Sequence, residues 1–127
     1  MVVLRAVFLT IGILHLSVTS TLAEGDVALG QTTFKKCVAC HEATKATNKL
    51  GPHMIGIVGR KVAAIDGYKY SAAMTAFAAT VPVWDEANLN AYLEKPKGIV
   101  VGTKMAFGGI AKPEERENLI AYLKTLK

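Results

Sequence analysis

The sequence predicts an all-α fold in which short helices are joined by long loops. Three segments place apolar residues three and four positions apart, which is the spacing of one face of a helix. No stretch alternates apolar and polar residues as a half-buried strand does, and no internal repeat is present. Proline and glycine occur mainly between the predicted helices, where turns and loops are expected.

The first 23 residues predict a secretory signal peptide. A short beginning that ends at the basic Arg5 precedes an almost wholly apolar run over 6–16 and a small, polar region that ends at Ala23. We expect cleavage after Ala23, which leaves residues 24–127 as one domain in the periplasm. An uncleaved membrane anchor is the alternative, although the apolar run is short for a bilayer span. The chain carries a formal net charge of +5, and most of this charge lies outside the leader.

The first helix of the domain is expected from Asp26, a residue typical of an N-cap, to about Lys36. Its inward face is predicted to consist of Val27, Gly30 and Phe34. A glycine on the inward face permits another helix to approach closely. We therefore expect the C-terminal helix to pack against Gly30.

Three further helices are predicted after the long loop over 42–67. Ser71 can cap a short helix over 72–77, and Asp85 can open the next helix, which ends before Pro96. The inward face of that helix is Leu89, Tyr92 and Leu93. Pro113 suits the first position of a final helix, which has acidic residues at its start and lysines at its end. The inward stripe of the final helix is Leu119, Ile120, Tyr122 and Leu123.

The stretch Cys37-Val38-Ala39-Cys40-His41 is the candidate functional site. Two thiols separated by two residues and followed at once by an imidazole form the attachment signature of c-type haem. The thiols bond to the haem vinyl groups, and His41 reaches the iron as its proximal ligand. A thioredoxin-like pair would need a βαβ pattern and a zinc site a second ligand pair, and the sequence indicates neither. The predicted cofactor is therefore one covalent haem c with its iron.

Spacing leaves several candidates for the ligand on the opposite face of the iron. The candidates are His53, Met54, Met74, Met105 or no ligand at all. Met54 and His53 follow His41 so closely that a core methionine and an exposed histidine are expected, and Met74 lies in a short apolar helix, where packing is the default. Met105 lies in a glycine-flanked loop far along the chain, so spacing favours it without excluding the others.

The sequence closely resembles class I c-type cytochromes, the family of mitochondrial cytochrome c and its periplasmic bacterial relatives. The likeness covers essentially all of residues 30–127. The motifs that carry it are Gly30, Phe34, Cys37 to His41, Gly51-Pro52, Gly59-Arg60-Lys61, Trp84, Tyr92-Leu93-Glu94, Gly102 to Phe107, and Arg116 to Leu123. The resemblance implies the cytochrome c fold, in which N- and C-terminal helices cross and long loops wrap one haem. It also implies that Met105 is the axial ligand.

Other roles follow from the resemblance alone. It implies that the Pro52 carbonyl accepts the Nδ1 proton of His41 and that Tyr92 forms a hydrogen bond near the Met105 sulfur. The residues that it implies around the haem propionates are Arg60, Tyr70, Trp84 and Thr103. For the three aromatic residues, ordinary core positions with one polar partner are the alternative.

The sequence also departs from the family pattern. Val101 stands where mitochondrial members usually carry proline, and Ile99 stands where they usually carry tyrosine. Without that proline the Met105 loop has more backbone freedom, so we expect it to open more readily. The stretch over 72–83 is longer than in mitochondrial members, and an asparagine common in this region has no evident match.

A six-coordinate iron predicts a one-electron carrier and no enzymatic activity. The partners we expect are redox protein complexes that dock at a basic haem edge, and the lysines expected there are Lys35, Lys36, Lys45, Lys49, Lys97, Lys104 and Lys112. A solvated surface that only keeps the protein soluble is the alternative. We expect a monomer that binds no nucleic acid and meets a membrane only through partner complexes.

Two rival functions share this fold. One is a haem enzyme or gas-binding protein with a labile sixth iron position, although no distal His and Arg pair is recognisable. The other is a structural or assembly subunit that bears haem. Because one fold hosts several functions, fold alone does not decide among them.

Overall fold

The computed structural model describes residues 24–127, so the predicted signal peptide lies outside the described residues. The helices are α1 (Val27–Phe34), α2 (Ala72–Thr80), α3 (Glu86–Glu94), α4 (Pro96–Ile99) and α5 (Pro113–Lys124). Over this range the chain forms one isolated antiparallel bridge, between Lys61 and Val83, and no strand, which confirms the all-α prediction. None of the helices described is long and apolar enough to cross a membrane.

Side-chain caps fix the starts of three helices where the sequence predicted them. The carboxylate of Asp26 accepts a hydrogen bond from the Leu29 amide at 2.8 Å. The Ser71 hydroxyl and the Asp85 carboxylate accept from the amides three residues on, at 3.0 Å and 2.7 Å. Each cap satisfies an amide that has no partner within its helix, so the start of the helix is encoded locally.

The crossing of α1 and α5 confirms the role predicted for Gly30. A Cβ at Gly30 would overlap the backbone carbonyl of Asn118 and lie 2.8 Å from Cβ of Tyr122. The predicted inward position of Val27 is wrong, because this side chain is 45% exposed. Thr33 is buried instead. Its hydroxyl donates a hydrogen bond to the Leu29 carbonyl at 3.1 Å, so the buried polar group has a partner.

Helix ends differ from the predictions. The first helix ends at Phe34 rather than Lys36, and the chain continues in tighter turns in which the Cys37 amide donates to the Phe34 carbonyl at 2.8 Å. The second helix runs to Thr80, three residues beyond the predicted end. The short α4 was not predicted, because Pro96 was treated only as the end of α3, whereas it also occupies the first position of a new helix.

The core lies between α3, α5 and the long loops. On α5, Leu119, Ile120 and Leu123 are buried as predicted, whereas Tyr122 is only half-buried beside the Phe34 ring. Two further side chains on α5 are buried although the sequence did not predict it, Ala121 and Arg116, and Arg116 is only 6% exposed. The remaining large core side chains come from α1, α3, α4 and the loops: Phe34, Ile57, Val62, Trp84, Leu89, Tyr92, Leu93, Pro96, Val100 and Ile110.

Candidate functional site

A cavity of about 550 Å³ opens between α2, α3, α5 and the loops that follow α1 and α4. All the residues that the sequence analysis placed at the site line this cavity, namely Cys37, Cys40, His41, Pro52, Arg60, Tyr70, Trp84, Tyr92, Thr103 and Met105. Buried apolar side chains complete its walls, among them Phe34, Ile57, Leu89, Leu93, Leu119 and Leu123. The fold therefore brings together residues that are widely separated in the sequence.

A single turn of chain after α1 presents the two thiols and the imidazole to the cavity. The amides of Cys40 and His41 both donate to the Cys37 carbonyl, at 3.1 Å and 2.9 Å. Both thiols are half-buried, and burial raises the pKa of the Cys37 thiol against the opposing effect of Lys36. This turn therefore places both thiols on one wall of the cavity.

The His41 ring is fixed from two sides. Its Nδ1 lies 2.7 Å from the Pro52 carbonyl oxygen, which can only accept, so Nδ1 carries the proton and Nε2 has a free lone pair. A Cβ at Gly51 would overlap the imidazole, so only glycine fits behind the ring. Burial lowers the pKa of His41 although the bond to Pro52 opposes this shift, which favours the neutral imidazole that a metal binds.

The Met105 thioether reaches the same cavity from the loop after α4. The Tyr92 hydroxyl lies 3.8 Å from the Met105 sulfur and 3.4 Å from the Thr103 hydroxyl oxygen. Thr103 in turn accepts a hydrogen bond from the Met105 amide at 3.2 Å. Burial raises the pKa of the Tyr92 phenol, and Thr103 opposes this only in part, so the hydroxyl stays protonated and donates to the sulfur.

The other candidates for the sixth ligand are placed differently. Met54 and Met74 also line the cavity, and His53 does not. The prediction that His53 is exposed is wrong, because the residue is half-buried. The Asn48 side chain accepts a hydrogen bond from the His53 amide, and Arg60 donates to the His53 carbonyl, so the loop around this residue is folded back on itself. A hydrogen bond to a methionine sulfur is seen, within residues 24–127, only at Met105.

Arg60 and the aromatic residues form the remaining wall. The guanidinium of Arg60 donates to the carbonyls of His53 and Ile55, at 3.0 Å and 3.2 Å, and so holds a positive charge at the cavity. Trp84 is 6% exposed and packs against Tyr92, with their ring centroids 5.0 Å apart. These contacts fix the positions of the Trp84 and Tyr92 rings and of the Arg60 guanidinium.

One lining residue, Tyr68, was missed by the sequence analysis. Its hydroxyl donates to the Leu50 carbonyl at 2.7 Å, and its ring meets that of Tyr70 edge-on at 4.8 Å. Tyr68 lies in a stretch with no helical period, and no motif of the resemblance includes it. Because Tyr70 accepts a hydrogen bond from the Ile65 amide at 3.3 Å, the two tyrosines hold this loop against the cavity.

This donor set fits a covalently attached haem. The thiols of Cys37 and Cys40 can form thioether bonds, and the neutral His41 imidazole, with its tautomer fixed, can ligate iron. The Met105 thioether lines the same cavity. The apolar walls suit a large flat macrocycle, and the guanidinium of Arg60 suits an acidic substituent. The residues present are therefore those that a c-type haem requires.

Comparison with known proteins agrees with this chemistry. The family model described as Cytochrome c matches residues 27–127. Cytochrome c2 of Agrobacterium tumefaciens (strain II Chrys) is 48% identical over 101 residues, which are 79% of this chain and 91% of that protein. Cytochrome c-550 of Nitrobacter winogradskyi is 47% identical over 100 residues, covering 78% of this chain and 89% of that protein. The structure of cytochrome cH from Methylobacterium extorquens is 43% identical, with a TM-score of 0.73 over 80% of this chain and 99% of that one.

The chain belongs to the cytochrome c family, as one of its class I members. It therefore has the cytochrome c fold and carries one covalently bound haem c with its iron, which confirms the predicted fold and cofactor. Its place in this family makes it an electron-transfer protein, in agreement with the expected electron carrier.

Proposed function

We propose that the protein is a one-electron carrier whose haem iron is ligated by His41 and Met105. One observation supports this most: each proposed ligand residue is held by its own hydrogen bond. The Pro52 carbonyl accepts from His41 Nδ1 and so leaves Nε2 free for iron, and the Tyr92 hydroxyl donates to the Met105 sulfur. The bound haem supplies an iron that changes between its ferric and ferrous states. With two protein ligands, the iron has no open position for oxygen or peroxide.

The residues of the cavity hold the proposed ligands in position for binding iron. Cys37 and Cys40 hold the cofactor through covalent bonds, and Pro52 keeps the His41 imidazole in the tautomer that exposes Nε2. On the other side, the Tyr92 hydroxyl orients the Met105 sulfur. Since the fold holds both ligand side chains, they would need little rearrangement when the bound cofactor gains or loses an electron.

The surroundings of the ligands favour the reduced state. A thioether ligand raises the potential relative to a second imidazole, and an apolar cavity disfavours the extra charge of ferric iron. Trp84, Leu89 and Leu119 are among the buried side chains that exclude water from the cavity. We therefore propose a carrier that readily accepts an electron and passes it on without chemistry on a substrate.

The surface charge supports docking to acidic redox partners. The seven lysines that the sequence analysis placed near the haem edge are all exposed, and Lys36 and Lys104 also line the cavity. Glu115 neutralises part of this charge, because its carboxylate lies 2.9 Å from the Lys36 ammonium and 3.5 Å from that of Lys112. We propose that Lys104 belongs to the docking surface, that partners bind there briefly, and that the protein acts as a periplasmic monomer.

Replacing the proposed sixth ligand tests the ligation. The Met105→Ala holoprotein should lose the thioether-to-ferric charge-transfer band in the near red and should bind carbon monoxide when reduced. Met74→Ala is the matched control, because Met74 lines the same cavity from α2. If Met74→Ala abolished the band and Met105→Ala kept it, the ligand assignment would be wrong.

A further inference from the structure

The loop between α4 and α5 carries the proposed ligand and is held mainly at its two ends. We call residues 100–112 the ligand loop. Within the described chain, residues 104–109 form no backbone-to-backbone hydrogen bond. Near its start, the Thr103 amide donates to the Val100 carbonyl at 3.0 Å, and the intervening Val101 is 81% exposed and adds little packing. Besides the contacts of Met105 with Tyr92 and Thr103, the placement of the thioether therefore depends on how the C-terminal end of the ligand loop is held.

Arg116 secures this C-terminal end. Its Nη1 donates to the carbonyls of Ile110 and Ala111, at 2.7 Å and 2.9 Å. Its Nε donates to the side-chain oxygen of Asn90 at 2.5 Å, and its Nη2 lies 3.8 Å from the Glu94 carboxylate. One guanidinium on α5 thus joins the end of the ligand loop to two residues of α3.

The burial of this guanidinium makes its bonds strong. Arg116 is only 6% exposed, and among residues 24–127 it is the one charged side chain that is buried. A hydrogen bond from a charged donor is stronger than a neutral one, and losing the donor leaves the loop carbonyls unpaired. The Ile110 amide adds one backbone bond to the Leu93 carbonyl, at 2.8 Å. Arg116 therefore provides two of the bonds that fix where the ligand loop ends.

We propose that Arg116 is a positioning residue for Met105 and holds the ligand loop closed over the cavity. The inference rests on the proposed ligation by His41 and Met105. A loop released at Ile110 and Ala111 opens more often, so the Met105 sulfur leaves the iron more often. An external ligand then binds more tightly, because its apparent affinity scales with the population of the open state.

Imidazole titration of the ferric holoprotein tests this role. Arg116→Lys should retain the near-red band but lower the dissociation constant for imidazole about tenfold or more. Asn90→Ala is a second variant that acts through Arg116, since Asn90 does not line the cavity, and it should shift the constant in the same direction. Ile120→Ala is the control, because Ile120 is buried on α5 but does not line the cavity.

Wild-type imidazole affinity in both Arg116→Lys and Asn90→Ala would overturn the proposal. It would also be overturned if Ile120→Ala bound imidazole as tightly as they do, since the effect would then come from general loss of stability. A wild-type protein without the near-red band would refute ligation by Met105 itself. The spectrum therefore separates failure of the proposed function from failure of the positioning role.

Discussion

The contact between α1 and α5 at Gly30 makes a quantitative prediction for Gly30→Ala. The new Cβ would lie 2.6 Å from the carbonyl carbon of Asn118 and 2.8 Å from Cβ of Tyr122, whereas carbon atoms pack at about 3.5–4.0 Å. The Asn118 carbonyl oxygen would lie closer still, so the helices must separate by more than about 1 Å where they cross. Overpacking of this kind costs about 3 kcal/mol, and alanine recovers about 1 kcal/mol of helix propensity. We expect a net loss of about 2 kcal/mol, or roughly 10 °C in Tm.

Thermal and denaturant unfolding of the holoprotein measures this loss. Gly98→Ala in α4 is the matched control, because a Cβ there meets only Cβ of Lys95, at an ordinary 3.5 Å. That variant should unfold within about 1 kcal/mol of the wild type. Equal stability of Gly30→Ala and Gly98→Ala would refute the close contact between the two terminal helices.

Three further predictions concern the ligand, an ion pair and the docking surface. Tyr92→Phe removes the hydrogen-bond donor to the Met105 sulfur, so imidazole should displace Met105 more readily in a spectroscopic titration. An unchanged affinity for imidazole would contradict this prediction. The hydrogen bond from the Lys36 ammonium lowers the pKa of Glu115. The ionised carboxylate therefore stabilises the folded protein fully at pH values above its unfolded pKa of about 4.5, and this stabilisation is lost as the pH falls through the lower pKa of the folded state. In Glu115→Gln, the free energy of unfolding should therefore depend less on pH between these two pKa values. An unchanged pH dependence would count against the Lys36–Glu115 ion pair. Lys104→Glu should slow oxidation by an acidic partner and weaken its salt dependence; equal rates would remove Lys104 from the docking surface.

The helices could be predicted where the signal is local. Asp26, Ser71 and Asp85 cap helices through amides three residues away, so sequence alone reveals these starts. The exposure of Val27 could not be predicted, because it depends on where α5 crosses α1 and not on the spacing within α1. Periodicity shows that a helix has a face, but the partner decides which residues that face buries.

The candidate site shows the same division. The two thiols and His41 form a contiguous motif, so their shared wall of the cavity was predictable. Spacing alone left several candidates for the second ligand, and only the fold brings the Tyr92 hydroxyl to the sulfur of Met105. Arg116 begins the last motif of the resemblance, but its role could not be predicted, because its partners include backbone carbonyls, which any residue offers.

Ligation of the iron is the central claim, and one optical experiment on the wild-type holoprotein tests it most directly. The spectrum is taken oxidised and reduced, and carbon monoxide is then added to the reduced form. We predict a near-red charge-transfer band in the ferric protein and no spectral change with the gas, since Met105 occupies the sixth position. Ready binding of the gas together with absence of the band would contradict the carrier and favour a haem enzyme or gas-binding protein.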